Sequence, residues 1–342
     1  GFYILHEGAL GVFDETLKEV DYEDMQDEGS IKVTSHGGWI GITDKYWLAA
    51  LIPNQKAKID ASFGHTLVGN QEKFQVDYLH GPQSIAANAS TEIVNHLFAG
   101  AKEVHVLDAY EAKYDIKRFD LAVDFGWFYF LTKPFFYAID WFYKLLGNFG
   151  LAILALTVCV RIVFYPLANK SFKAMGAMKR LQPEMAKLRE RHGDDRQKLN
   201  QAMMELYKKE KANPMAGCLP IALQIPVFFS LYKVLFVSIE MRHAPFYGWI
   251  SDLSAADPTS IVNLFGLIPW TPPAYIPALG VWPIIMGITM FLQQKLNPQP
   301  ADPIQAKIFM FLPLVFTFML STFPAGLVIY WSWNNLLSMA QQ

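Results

Sequence analysis

The feature that most constrains the fold is the scarcity of charge in the C-terminal part of the chain. Residues 214–342 carry four Lys or Arg and four Asp or Glu, so eight formal charges are spread over 129 residues. About a quarter of the residues in an ordinary soluble domain are charged. So few charges cannot cover the surface of a water-soluble domain, and this part is predicted to lie in a membrane.

The remaining charges are segregated along the chain. Residues 1–120 hold 10 Lys or Arg against 19 Asp or Glu, a net charge of −9, whereas residues 170–213 hold 12 against 6, a net charge of +6. With 52% hydrophobic residues, this pattern argues against a disordered chain, a purely cytosolic enzyme and a nucleic-acid binder with a broad basic face.

Five segments are long and apolar enough to be candidate membrane spans. They are residues 147–169, 214–237, 279–294, 308–323 and 325–341. The last two are joined by Phe323-Pro324-Ala325-Gly326, which predicts a tight turn and a helical hairpin.

Basic loops set the expected orientation. Residues 170–213 and the two lysines that border the loop between the third and fourth spans, Lys295 and Lys307, should be cytoplasmic by the positive-inside rule. Residues 1–118 then lie outside the cytoplasm. Because an acidic domain ahead of the first span must be exported, we expect a signal anchor upstream of it.

Residues 1–118 are predicted to form a soluble β domain, a fragment of a larger one. β-branched and aromatic residues recur near period two in four segments separated by Gly and Pro. These segments are residues 31–35, 39–53, 57–63 and 74–79. The acidic residues 11–30 are expected to form loop or helix.

An aromatic segment follows the β domain. Eleven of the twenty residues in 125–144 are aromatic, the composition typical of a membrane–water interface. Residues 119–146 are therefore predicted to form an interfacial amphipathic helix, kinked at Pro134. The alternative is an ordinary buried helix.

The basic loop 170–213 is predicted to be a two-helix hairpin in the cytoplasm. Apolar residues recur at spacings of three and four on both arms, and Gly193 and Asp194 suit the end of one helix and the N-cap of the next. Its methionines either hold the two helices together or form an adaptable contact surface. Its basic face either meets lipid headgroups, ribosomal RNA or a partner, or is simply solvated.

The chain lacks the residue patterns of several catalytic classes. No Asp, Glu or His lies in a candidate span, which argues against proton-coupled transporters and intramembrane metalloproteases. The two cysteines, Cys159 and Cys218, form no metal-binding or disulfide pattern. Ser230 and Lys233 are one turn apart, but Lys233 is near a span end, where it can snorkel. We therefore expect no enzyme activity, catalytic residue, metal or cofactor.

Arg161 is the most informative single residue. It precedes the end of the first span by eight residues, or about 12 Å, so it lies well inside a hydrocarbon core of ~30 Å. Its guanidinium stays protonated and no carboxylate in the spans can pair with it. It must face water, polar side chains or a visiting anion, and a hydrated groove is preferred over an arginine that snorkels to backbone carbonyls.

Polar residues on several spans could line such a groove. They are Thr157, Gln224, Gln293, Gln294, Asn334 and Asn335. Thr157 and Tyr165 flank Arg161 at i−4 and i+4, which places all three on one helix face.

Five motifs in order resemble the YidC/Oxa1/Alb3 family of membrane protein insertases in its Gram-negative form. They are Val160–Leu167, Leu181-Gln182-Pro183, Arg189–Asp195, Asn213–Pro220 with Gln224-Ile225-Pro226, and Phe323–Leu327. The resemblance covers residues ~30–342 and is strongest over ~120–342.

The resemblance implies a five-helix insertase core over residues 147–342 and a partial periplasmic β-sandwich over residues 1–118. It implies a groove open to the cytoplasm with Arg161 as its charge. It also implies substrate contacts at Thr157, Phe228, Met286, Met319 and Trp331.

By the same resemblance the protein is a multi-pass protein of the bacterial inner membrane with a cytoplasmic C-terminus. Its expected partners are nascent membrane proteins, membrane lipids, the Sec translocon (SecYEG with accessory SecDF) and the ribosome. Ribosome contact is expected through the cytoplasmic hairpin and a basic tail that lies beyond Gln342 in relatives.

The sequence is also compatible with two other functions. A solute transporter or channel could use Arg161 as an anion site, although no inverted repeat or coupling carboxylate is visible. A non-catalytic assembly partner of the translocon is the other.

Overall fold

The computed structural model describes residues 5–192, 195–210, 219–268, 279–297 and 303–342. Within these ranges the chain forms two compact units. The first unit extends to Trp127 and includes Val237–Glu240, and the second comprises Phe128–Phe236 and Met241–Gln342.

The described part of the first unit is rich in antiparallel strands. Its elements are β1 Gly8–Phe13, β2 Thr16–Val20, α1 Tyr22–Glu28, β3 Ser30–His36, β4 Trp39–Thr43, β5 Trp47–Ile52, β6 Lys58–Val68, β7 Gln71–His80, β8 His96–Ala101, α2 Val104–Tyr114 and a 3-10 turn at Phe119–Ala122.

Two antiparallel sheets share one core in this unit. One sheet has the order β2-β1-β4-β5-β8 and the other β3-β6-β7. Phe13 of the larger sheet meets Phe63 of the smaller one edge to face, with ring centroids 5.9 Å apart. Ile40 and Ile59 are fully buried in the same cluster, so the sheets pack face to face as in a β-sandwich.

The strand prediction was wrong in three places. It did not include β8. Residues 39–53 form a hairpin of β4 and β5, in which Thr43 pairs with Leu48. The acidic residues 11–30 contain the end of β1, all of β2 and α1. β1 is buried along its whole length and β2 is a charged edge strand, so neither has the alternating pattern used to find strands.

The second unit is helical in its described residues. Its helices are α3 Tyr129–Leu146, α4 Phe149–His192, α5 Arg196–Lys209, α6 Leu219–Val237, α7 Val281–Leu296, α8 Pro303–Leu320 and α9 Ala325–Gln341.

Helix α4 is much longer than the predicted first span. Its 44 residues correspond to about 66 Å, roughly twice the hydrocarbon thickness. The first arm of the expected hairpin is therefore the C-terminal half of α4. It packs on α5 through a cluster of Leu181, Met185, Met203 and Leu206.

The cap of α5 differs from the prediction. Asp195, not Asp194, is the N-cap, and its carboxylate accepts hydrogen bonds from the amides of Gln197 and Lys198, both at 3.1 Å. Gly193 and Asp194 lie outside the described residues, as do residues 211–218 at the start of the predicted second span.

Among the described helices, only Phe149–His192 combines the length and apolarity needed to cross a membrane by itself, while Gln224–Val237 and Ala306–Leu320 are shorter apolar helices. Helices α7 and α8 pack closely. Gly287 of α7 lies so near Thr317 of α8 that any side chain at 287 would collide with its hydroxyl, as is common where membrane helices meet.

Helix α3 is apolar on two sides. Phe136 and Ile139 are buried, and Tyr143 stacks on Phe149 of α4 with centroids 3.8 Å apart. Phe130 and Trp141 remain 72% and 60% exposed. One side therefore packs within the unit, while the other presents the aromatic surface expected of an interfacial helix.

Lys102, at the end of β8, is a buried cation in the first unit. Its side chain is only 2% exposed, and its ammonium donates a hydrogen bond to the Thr43 hydroxyl at 2.8 Å. Burial lowers the pKa of Lys102 from 10.5 to about 8, although Asp124 and Asp44 oppose the shift.

This burial predicts a pH-dependent stability. Because the folded state disfavours the protonated lysine, the free energy of unfolding should be lowest below pH 8 and rise until about pH 10.5, by about 3 kcal/mol at most. Thermal unfolding of the first unit within the full chain, measured across this range, tests it. Lys102→Met should flatten the rise, whereas the exposed Lys56→Met should not; an equal rise in all three proteins would contradict the prediction.

Candidate functional site

A cleft in the second unit surrounds Arg161. Its volume is about 480 Å³, which includes the solvent at its mouth. It is lined by α4, α6 and α9 through Thr157, Val160, Arg161, Phe164, Leu167, Ala168, Gln224, Val227, Tyr330 and Asn334. An ionised group thus lies in a cleft whose walls are otherwise apolar or neutral.

Uncharged oxygen atoms of α9 accept the hydrogen bonds of Arg161. Its Nε donates to Asn334 Oδ1 at 2.9 Å, and its terminal nitrogen donates to the same oxygen at 2.6 Å and to the Asn334 carbonyl at 3.0 Å. The Ser338 hydroxyl is a further acceptor. No carboxylate in the described residues forms an ion pair with Arg161, so its positive charge is solvated but not neutralised.

A second polar link joins α6 to α9 in the same cleft. Gln224 donates a hydrogen bond from its amide to the Tyr330 hydroxyl at 2.6 Å. Tyr330 is 1% exposed, so this bond satisfies a hydroxyl that would otherwise be buried without a partner.

The other predicted groove residues are placed differently. Thr157 lines the cleft, but its hydroxyl donates to the Ile153 carbonyl of its own helix at 2.7 Å. Gln293 and Gln294 are not part of the lining, and Gln294 donates to the Phe309 carbonyl of α8. Asn335 donates to the Thr289 hydroxyl of α7 at 3.2 Å, which ties α9 to a third helix.

The predicted substrate-contact residues on α6, α7, α8 and α9 differ in how far they are exposed. Phe228 and Trp331 pack edge to face at 4.8 Å. Met286 is fully buried against Leu320, whereas Met319 is 48% exposed. Only some of these side chains can meet another molecule without movement of the helices.

Ser230 and Lys233 are not joined by a hydrogen bond. The Ser230 hydroxyl is buried and makes no hydrogen bond within the described residues, so a Ser230–Lys233 dyad is not assembled. No group of three His, Cys, Asp or Glu side chains suited to a metal ion occurs in the part of the chain that the structure describes.

Sequence reasoning missed Tyr330 and Ser338. Both lie four residues from Asn334, so the three residues form a stripe on one face of α9. This spacing could have predicted that the three residues share a face. It could not have predicted their partners on α4 and α6, because the spacing within one helix does not reveal which helix faces it.

The fold and the cleft define the class: an integral membrane protein that carries a β-rich domain. Residues 141–342 match the family model described as 60Kd inner membrane protein, and residues 1–138 match the model of the YidC periplasmic domain. The chain belongs to the 60Kd inner membrane protein family.

Relatives named membrane protein insertase YidC are similar along almost the entire chain. The protein of Brucella suis is 58% identical over 99% of this chain and 56% of its own length. That of Methylorubrum extorquens is 57% identical over 100% and 57%, and that of Rickettsia africae is 56% identical over 99% and 60%. The chain thus spans a little more than half of the length of these relatives.

The fold is similar to that of a solved insertase structure. That structure is titled "Active YidC insertase crystal structure with the first transmembrane domain resolved" and is 19% identical, with a TM-score of 0.51. The match covers 98% of this chain and 82% of that chain.

The contacts of Arg161 predict a specific energetic coupling. Arg161→Met and Asn334→Leu should couple by about 1.5–3 kcal/mol in a double-mutant cycle, because both remove the hydrogen bonds between the guanidinium and Asn334 Oδ1. The measurement is the free energy of unfolding in detergent micelles. Asn335→Leu is the matched control on the same helix, and its coupling to Arg161→Met should be below about 0.5 kcal/mol. Equal coupling for both asparagines would contradict the assigned contacts.

Proposed function

We propose that this protein inserts new membrane proteins into the bacterial inner membrane and helps them to fold. One observation carries the proposal: a permanent cation in the apolar N-terminal half of α4 is held in a cleft by neutral acceptors on α9. The family to which the chain belongs and the names of its relatives support the same function.

The proposed mechanism needs no bond chemistry. The polar tail of a new protein must cross about 30 Å of hydrocarbon, and a hydrated cleft shortens the dry part of that path and its desolvation cost. Arg161 attracts an acidic tail transiently, since its hydrogen-bond acceptors leave its charge uncompensated. The apolar segment of the substrate then leaves into the lipid, driven by its own hydrophobic burial.

The proposed topology places five segments in the membrane. The N-terminal half of α4 and helices α6, α7, α8 and α9 are the spans, and α3 lies at the interface. The C-terminal half of α4 and α5 are cytoplasmic because residues 170–213 carry the excess of positive charge. The first unit is periplasmic, in keeping with its match to the periplasmic domain model.

The proposed partners follow from this placement. They are nascent membrane proteins at the cleft, lipids around the spans, the ribosome at the basic hairpin, and the Sec translocon. Phe228, Met319 and Trp331 are the proposed first contacts of a substrate. Met286 becomes a contact only when α7 and α8 separate, because it is fully enclosed at rest.

Reconstitution of the purified protein in liposomes with a single-span substrate tests the function. An insertase inserts the substrate without any other protein. An assembly partner fails to do so alone, and a transporter or channel built on an anion site produces solute flux instead. Either of the last two results would reject the proposal.

The charge at position 161 should matter most for substrates with acidic tails. Arg161→Ala is expected to slow insertion of such a substrate about tenfold, equivalent to about 1.4 kcal/mol of lost attraction, while Arg161→Lys retains most of the rate. A substrate with a neutral tail and the exposed Arg180→Ala variant are the controls. If Arg161→Ala inserts acidic tails as fast as wild type, the charge has no such role.

Exposure predicts which residues of the site a substrate reaches first. A photocrosslinker at position 319, where Met319 is 48% exposed, should capture a stalled nascent chain efficiently. The same probe at position 286, where Met286 is fully buried, should capture it several-fold less. Equal capture at both positions would mean that α7 and α8 separate before the substrate binds.

A further inference from the structure

An uncharged turn just ahead of α7 exposes large apolar side chains. We define the apolar turn as residues 260–268. Leu267 is 84% exposed and Leu264 53% exposed, and three further apolar members are exposed by 43–47%. These are Ile261, Phe265 and Ile268. Several such side chains in one short turn form a patch of the kind that marks a contact surface.

The backbone of the apolar turn is held in an uncommon conformation. Leu264 (φ 48°, ψ 48°) and Phe265 (φ 58°, ψ 33°) are both left-handed, which non-glycine residues adopt at a cost. Ser260 stabilises the turn, since its hydroxyl accepts a hydrogen bond from Val262 and its carbonyl accepts one from Phe265 at 2.7 Å. The local hydrogen bonds thus hold a strained shape that leaves apolar residues uncovered.

The apolar turn is tied to the N-terminus of α7. Ile261 donates its amide hydrogen bond to the Leu279 carbonyl at 3.0 Å. Asp257, which is 4% exposed, accepts hydrogen bonds from the Trp282 amide at 2.9 Å and from the Thr259 hydroxyl at 2.6 Å. The depth of the turn in the membrane is therefore set by the depth at which α7 begins.

The chemistry of this surface points to lipid. The sequence has no Asp, Glu, Lys or Arg from residue 258 through 294, so the turn cannot recognise a charged headgroup. The turn is hydrogen-bonded to Leu279 in the residue pair that leads into α7, a helix with uncovered apolar side chains such as Ile288, which is 54% exposed. Apolar side chains beside a membrane span gain most from the acyl-chain region of the bilayer.

We propose that the apolar turn inserts into the outer leaflet and binds the acyl chains of lipids there, which anchors the entrance of α7. The occupant is lipid and not a partner protein, because the surface is uncharged and is hydrogen-bonded to the residues at which a proposed span begins. This inference rests on the membrane placement of α7 in the proposed function.

Depth-dependent fluorescence quenching tests the inference on the full chain. A fluorophore is attached to Leu267→Cys in a background with Cys159→Ala and Cys218→Ala, and the protein is reconstituted in phosphatidylcholine vesicles. Ile288→Cys on α7 is the matched lipid-facing control, and Gln201→Cys on α5 is the aqueous control. The quenchers are nitroxide-labelled acyl chains and aqueous iodide.

The label at 267 should be quenched by the acyl-chain nitroxide at least half as strongly as the label at 288, and protected from iodide relative to 201, at low and high salt alike. Iodide quenching at 267 with lipid quenching at 288 would overturn only this inference. Iodide quenching at both would overturn the placement of α7 and this inference with it. A label at 267 shielded from both quenchers would mean that protein covers the turn, and would also overturn it.

Discussion

The arrangement of the helical unit depends on keeping one permanent cation solvated inside an apolar helix. A charged residue in mid-membrane costs roughly 2.5–3.5 kcal/mol on insertion scales, and a guanidinium cannot escape by losing its proton. Arg161 is satisfied by the oxygen atoms of Asn334 and Ser338. A carboxylate in their place would cancel the charge, whereas amide, carbonyl and hydroxyl oxygens solvate it and leave it able to attract an anion.

Helix α9 links the solvation of Arg161 to the packing of the other helices. Most of its length is buried, and its polar side chains bond to three other helices. Asn334 meets Arg161 of α4, Tyr330 meets Gln224 of α6, and Asn335 meets Thr289 of α7. Because apolar contacts alone discriminate weakly between helices in lipid, these bonds help to fix which helices become neighbours and in what register.

The confirmed predictions about the fold rest mainly on composition and periodicity. The scarcity of charge after residue 213 and the β-rich pattern before residue 118 led to the correct division into a β-rich domain and a helical membrane part. Strands whose local pattern does not reflect their tertiary surroundings could not be predicted from the sequence. The hairpin of β4 and β5 was read as one strand because Asp44 and Lys45 are a weak break, and β1 was missed because both of its faces are buried.

The amino-acid sequence by itself determined that the chain belongs in a membrane and that Arg161 needs polar groups around it there, since both follow from the cost of moving charge into hydrocarbon. Only the tertiary structure decided which polar groups surround it. Gln224 and Asn334 reach the cleft, while Gln293 and Gln294 do not. The sequence could not distinguish them, because the position of a residue along a span predicts its depth but not the direction in which its helix faces. That direction is decided by packing between helices that are distant in the chain.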